Sequence, residues 1–282
     1  MKCLKFQRML HFFKLISAEN FQKGLNLLRY GGFRVFYDKL IVKLKRKPVQ
    51  VDYYYKEIDA RKYIEQKNTK FDKHPLISVI VTTNETPLSL LSEMIRSIIN
   101  QTYSNWELCI SDVSSSQAVI NYLQKNYSND ERIIWEKTGS NEEFSEINSR
   151  VFQLAKGEYF VFFKDRDLLS CDSLFEIVKA VNESKKDVDL IYSDEDQIDN
   201  ESRKYVNPSF KPDFSPYYLC SYNYIGNLLV VRRKLLDEAG QYFDCKYGEA
   251  QDYDLLLRCI EKSKVISHIP KVLYHNRVIM EP

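Results

Sequence analysis

Carboxylates and hydroxyls gather in three short runs of this chain: Thr82-Thr-Asn-Glu85, Ser111-Asp112 with Ser114-Ser-Ser116, and Lys164-Asp165-Arg166-Asp167. Asp165 and Asp167 carry the sharpest chemistry. Two hard oxygen donors one residue apart can share a Mg²⁺ or Mn²⁺ ion, which would neutralise a diphosphate and stabilise it as a leaving group. The same four residues also read as a solvated turn in which Lys164 and Arg166 pair the carboxylates. Asp252, in Glu249-Ala-Gln-Asp252-Tyr-Asp254, opens a helical stretch. An acid there either complements the helix dipole or acts as a general base, taking the proton of an acceptor hydroxyl. His275, in Tyr274-His275-Asn-Arg277, could bind metal or phosphate and reads equally as a satisfied structural histidine.

Periodicity supplies the frame for these residues. Leu76–Val81, Trp106–Ile110, Arg132–Trp135, Tyr159–Phe163 and Val188–Tyr192 read as strands. Leu88–Asn100, Val119–Asn126, Glu142–Ala155 and Asp172–Asn182 have helical spacing between them. This alternation predicts an α/β fold with a mainly parallel sheet flanked by helices. Such sheets bind ligands beyond the carboxyl ends of their strands, and each polar run follows a strand. Ahead of Pro75 the chain reads as helical and basic. Phe6, Met9, Leu10, Phe13 and Ile16 mark one helix face, and further helices are predicted over Phe21–Tyr30, Phe33–Lys47 and Asp52–Gln66. The expected organisation is a helical extension over 1–74 and an α/β domain over 75–282.

The 282 residues carry a net charge of +2 that conceals a split. Residues 1–75 hold 18 Lys/Arg against 7 Asp/Glu, leaving 23 against 32 in the remainder, so the two parts carry +11 and −9. The basic part suits an anionic lipid surface through residues 1–47, or packing against the rest of the chain or a partner. Eight Gly, eight Pro and 13% aromatics exclude collagen-like and disordered classes. The six cysteines form no C-x-x-C, which fits buried free thiols in a reducing compartment. No run is apolar enough to span a membrane, and Lys14 interrupts the apolar N-terminus, so a cytoplasmic location is expected, peripheral at the inner face of the plasma membrane. P-loop, dinucleotide-binding and nucleophile-elbow motifs are missing, and no nucleic-acid module is present.

From about residue 75 to 278 the ordered motifs resemble the family 2 glycosyltransferases of GT-A fold, most closely those that build O-antigen and other bacterial surface polysaccharides. The motifs are Pro75–Val81, Ile98–Ile110, Ala155–Tyr159, Asp189–Asp199, Phe210–Pro216, Gln251–Leu255 and His268–His275. The resemblance implies an inverting transfer of a sugar from a nucleotide-diphospho-sugar donor to a glycan or lipid-linked acceptor, assisted by Mn²⁺ or Mg²⁺. By position it implies that Thr83, Glu85 and Asp112 contact the donor nucleotide. It places Asp165, Asp167 and His275 at the metal and diphosphate, with Asp252 as the base. Three donor-side motifs depart from the family. Its Asp-x-Asp-Asp stands here as Lys164-Asp-Arg-Asp167, its Asp-Asp-Gly-Ser as Asp112-Val-Ser-Ser115, and its Pro-Thr-Tyr-Asn as Thr82-Thr-Asn-Glu85. Two readings follow. In one, Lys164 and Arg166 bind the donor diphosphate and partly replace the metal charge. In the other, the chain keeps the fold without the catalysis and serves as partner or scaffold of an active transferase.

Overall fold

Ile77, Val79 and Val81 enter one hydrophobic cluster while Ile80, on the opposite face, enters another. A strand buried on both faces must lie inside a covered sheet. This strand is β1 (Ile77–Thr83). The computed structural model describes residues 53, 55–138, 151–199, 203–240 and 250–278. They cluster in one unit, Tyr53–Pro282. The basic helices expected before residue 48, and the lipid contact expected for 1–47, lie outside the described residues.

β1 is followed by α1 (Leu88–Ile99), β2 (Trp106–Asp112), α2 (Ala118–Tyr127) and β3 (Ile133–Lys137). Leu91, Met94, Ile95 and Ile98 bury one face of α1, as their spacing predicts. Residues 151–154 are helical and precede β4 (Tyr159–Lys164); the earlier part of the helix predicted over 142–155 lies outside the described residues. β5 (Leu168–Leu169), α3 (Ser173–Glu183), β6 (Leu190–Asp199), β7 (Tyr205–Ser209) and α4 (Pro216–Ser221) follow. β8 (Leu229–Arg232), α5 (Arg233–Ala239), α6 (Gln251–Lys262) and β9 (Ile266–Val278) complete the unit.

The sheet order is β3-β2-β1-β4-β8-β6-β9-β5, with β7 paired to β6. β1, β2, β3 and β4 pair in parallel, as predicted. The other half is mixed. β8 runs antiparallel to both β4 and β6, whereas β9 runs parallel to β6 and antiparallel to β5. Cys109 and Cys259 are buried free thiols. No helix among the described residues is long and apolar enough to cross a membrane.

One predicted helix is corrected. Asp52–Gln66 does not form a single helix: Ala60–Asn68 is helical and residues 55–59 are not. Asp59 accepts the Lys62 amide at 2.9 Å and so starts the helix, as an N-cap acid does. Upstream, the hydroxyls of Tyr53 and Tyr55 donate to Asp196 (2.6 Å) and Ser170 (2.7 Å). The described part of the stretch before Pro75 is therefore bonded to the sheet unit.

Candidate active site at the carboxyl edge of the sheet

Strand register brings the three polar runs together. Thr83 pairs with Asp112, Thr82 with Lys164 and Asp112 with Lys137 at the carboxyl ends of neighbouring parallel strands. Asp112 is fully buried. Its Oδ1 accepts Thr83 Oγ1 (3.0 Å), Ser114 N (3.2 Å) and Ser114 Oγ (2.5 Å), and its Oδ2 accepts Lys137 Nζ (2.8 Å). Lys137 also donates to the carbonyls of Ser114 and Ser116, tying the loop after β2 to the end of β3. Lys137 was missed in the sequence reading. Its signal was a basic residue closing a strand in register with a buried acid. Glu85, at a positive φ of 48°, accepts Ser115 N and Ser115 Oγ, both at 2.7 Å. Those bonds, the Ser115 hydroxyl first, hold its carboxyl below the usual range.

A cavity of about 380 Å³ opens beside this edge, lined by Thr82, Lys164, Asp165, Asn227 and Asp252 among others. Asp252 stands in the first turn of α6, where an acid suits the helix dipole. Among the described residues it has no hydrogen-bond or ion-pair partner. The cavity walls remove enough water to raise its carboxyl above the usual Asp range, and the Lys164 ammonium opposes that rise. Asp252 thus faces the cavity with a carboxylate that makes no hydrogen bond among the described residues.

Asp165, Asp167 and His275 do not converge. Asp165 lines the cavity, but its Oδ2 accepts the Thr86 hydroxyl and lies 3.8 Å from Arg166 Nε. Asp167 is buried, and it accepts Tyr274 Oη at 2.6 Å and the Arg277 amide at 2.8 Å. Burial raises its carboxyl despite those bonds. His275 lies in a different cavity, sharing no lining residue with the first. Its Nδ1 is 2.5 Å from Asp196 and its Nε2 3.0 Å from Ser170, with Tyr55 and Tyr205 rings 4.5 Å away. The register Leu168↔His275 between β5 and β9 fixes this placement. Among the described residues no three metal-ligating side chains come together, so this donor set does not fit a Mn²⁺ or Mg²⁺ ion held by those three.

Lys211 and Glu195, outside the lining, hold the Gly226–Asn227 segment that lines the cavity. Lys211 is buried, donating to Ile225 O (2.5 Å) and to Asn227 O, with Glu195 Oε2 at 3.9 Å. Glu195 accepts the Asn227 amide (3.0 Å) and Asn276 Nδ2 (3.1 Å). Gly226 sits at φ +49°, where a Cβ would meet Glu195 Oε1 at 2.9 Å. Burial lowers the Lys211 ammonium from the usual 10.5 to about 8, against the pull of Glu195 and Asp194. Between those pH values the unfolded chain holds a proton that the folded chain has released, so this group makes stability rise with pH. Lys211→Met should abolish that rise, worth up to about 3 kcal/mol. Urea unfolding of both proteins across this window measures the difference, and parallel curves would show that Lys211 keeps its ordinary proton affinity.

The profile of glycosyl transferase family 2 matches residues 78–240. The chain is a member of that family. Over 206 residues, 72% of this chain, it is 37% identical to the y4gI protein of Sinorhizobium fredii. Over 209 residues, 74% of the chain, it is 31% identical to the O-antigen biosynthesis protein RfbC of Myxococcus xanthus. The chain spans only 22% and 16% of the length of those relatives. The structure of residues 1–349 of S. aureus TarS superposes with a TM-score of 0.58 at 19% identity, covering 71% of this chain and 60% of that one. A Pyrobaculum calidifontis mannosyltransferase, solved with GDP-Man and Mn²⁺, gives 0.54 at 17% identity, covering 78% and 64%. These likenesses show the GT-A fold. Within this family 2 member, the polar runs and the Asp252 cavity meet along one sheet edge.

Proposed function

We propose that this chain transfers a sugar, with inversion, from a nucleoside-diphosphate donor to a hydroxyl of a glycan or lipid-linked acceptor in surface-polysaccharide synthesis. The observation that carries the reading is Asp252, a carboxylate without a partner among the described residues, facing the same cavity as Lys164. The acceptor oxygen attacks the anomeric carbon from the face opposite the leaving group. Its proton passes to Asp252, and the bond from that carbon to the diphosphate oxygen breaks. Attack from the opposite face inverts the configuration. The relation to RfbC and to the putative colanic acid glycosyl transferase WcaA of Escherichia coli (28% identical) supports the polysaccharide setting.

Incubating the protein with a panel of nucleotide sugars and oligosaccharide acceptors, and reading the product linkage by NMR, tests this. A product of inverted anomeric configuration is expected. Retained configuration would overturn the inversion. Absence of both transfer and donor binding across the panel would favour the scaffold reading.

A further inference from the structure

Four ionisable side chains decide the charge where a donor diphosphate would lie. Lys164 and Asp165 line the cavity at the end of β4, and Asp252 faces them from α6. Arg166 lies beside Asp165, with Nε 3.8 Å from Oδ2. Lys164 shares the lining with the two acids, and Arg166, outside the lining, faces Asp165, so the carboxylates do not stand as a bare pair for a divalent cation. The Asp165 oxygen nearest Arg166 is also bonded to Thr86. Asp167, the remaining acid of the run, is turned into the protein by Tyr274 and Arg277. Lys164 differs from its neighbours. Its side chain is exposed, its backbone amide is anchored to Tyr274 Oη at 3.3 Å, and its ammonium has no ion-pair partner among the described residues. The backbone is fixed and the charge is available.

We infer that Lys164 holds the donor diphosphate in the role a divalent cation would otherwise fill, so that this chain binds and uses its donor without metal. The inference rests on the transferase reading above. A lysine ammonium is a compact charge with three donors, suited to phosphate oxygens. In the transfer step the anomeric carbon–oxygen bond breaks and its electron pair stays on the diphosphate oxygen. Lys164 Nζ meets that new charge, while the acceptor proton goes to Asp252. No further reactant is needed. Arg166 contributes less, because it already faces Asp165.

Titration calorimetry of the full chain with inorganic pyrophosphate and with UDP, GDP and dTDP, in EDTA and again in Mn²⁺, tests the inference. Affinity should agree between the two conditions within about twofold. Lys164→Met should weaken binding about tenfold or more in both, as loss of a charge-assisted hydrogen bond does, and Lys164→Arg should recover most of it. The double variant Lys164→Asp with Arg166→Asp should bind only when Mn²⁺ is present. Tightening of wild-type binding about tenfold or more by Mn²⁺, or Lys164→Met binding like wild type with an unchanged thermal melt, would overturn the inference and leave the transferase reading standing. Absence of binding by every nucleoside diphosphate in both conditions would sink the transferase reading itself.

Discussion

Asp252→Asn should lower kcat by about 10²- to 10⁴-fold, the span that a positioned general base supplies, while leaving nucleoside-diphosphate affinity nearly unchanged. The amide keeps the shape of the side chain and the packing of the first turn of α6, but it cannot take up a proton. Capping predicts a different result. If Asp252 served only the helix dipole, the change would cost at most about 1 kcal/mol of stability and leave turnover intact. Steady-state kinetics beside a thermal melt separates the two outcomes. The raised carboxyl adds a pH signature. The acidic limb of the kcat/KM profile should lie above the pH of an ordinary aspartate and should vanish in the variant. Because Lys164 opposes the rise, Lys164→Met should move that limb further up.

Gly157→Ala should cost roughly 3 kcal/mol or more, the upper range for overpacking. A Cβ at Gly157 would fall against Ser78 Oγ and 2.7 Å from both Leu76 O and Ser78 N. Ser78 Oγ could rotate, but Leu76 O and Ser78 N belong to the backbone at the start of β1 and cannot swing aside. The Gly157 amide also donates to Ser78 Oγ at 2.8 Å and Glu107 Oε1 at 3.1 Å, so withdrawing the loop would leave a buried carboxylate short of donors. The pairing of β1 with β4 begins immediately beyond, at Ile77↔Tyr159. At this chain length the loss corresponds to a fall in Tm of about 5 °C or more, measurable by circular dichroism. A fall within about 2 °C would mean that the strand entrance yields to a methyl group.

Much of the parallel half was legible because its strands are apolar on both faces and their helices keep a clear period. Leu91, Met94, Ile95 and Ile98 mark α1, and the runs after β1, β2 and β4 stand where a parallel register must bring them. The remainder depended on facts that a strand's own pattern does not carry. Nothing in Leu229–Arg232 states that it runs against β4 and β6. Nothing local to Lys211 or Glu195 states that folding buries the one and sets it against the other. His275 stood in a motif that points toward phosphate, yet its ring nitrogens face Asp196 and Ser170. Tyr53 and Tyr55 shared the pattern of a helix but serve as anchors in a non-helical lead-in.

The order of strands in space also sets an order in time. β1 to β4 find their parallel partners among themselves, within residues 77–164. Among the described residues β6 finds its parallel partner in β9, where Leu190 meets Ile266 and Asp199 meets Val278. On a ribosome, the half of the sheet that carries Asp112 can close while one flank of β6 still waits for sequence not yet made. Until Val278 emerges, that flank is an open template for other extended chains. A nascent chain stalled before β9 would therefore tend to aggregate through its second half, with its first half already folded.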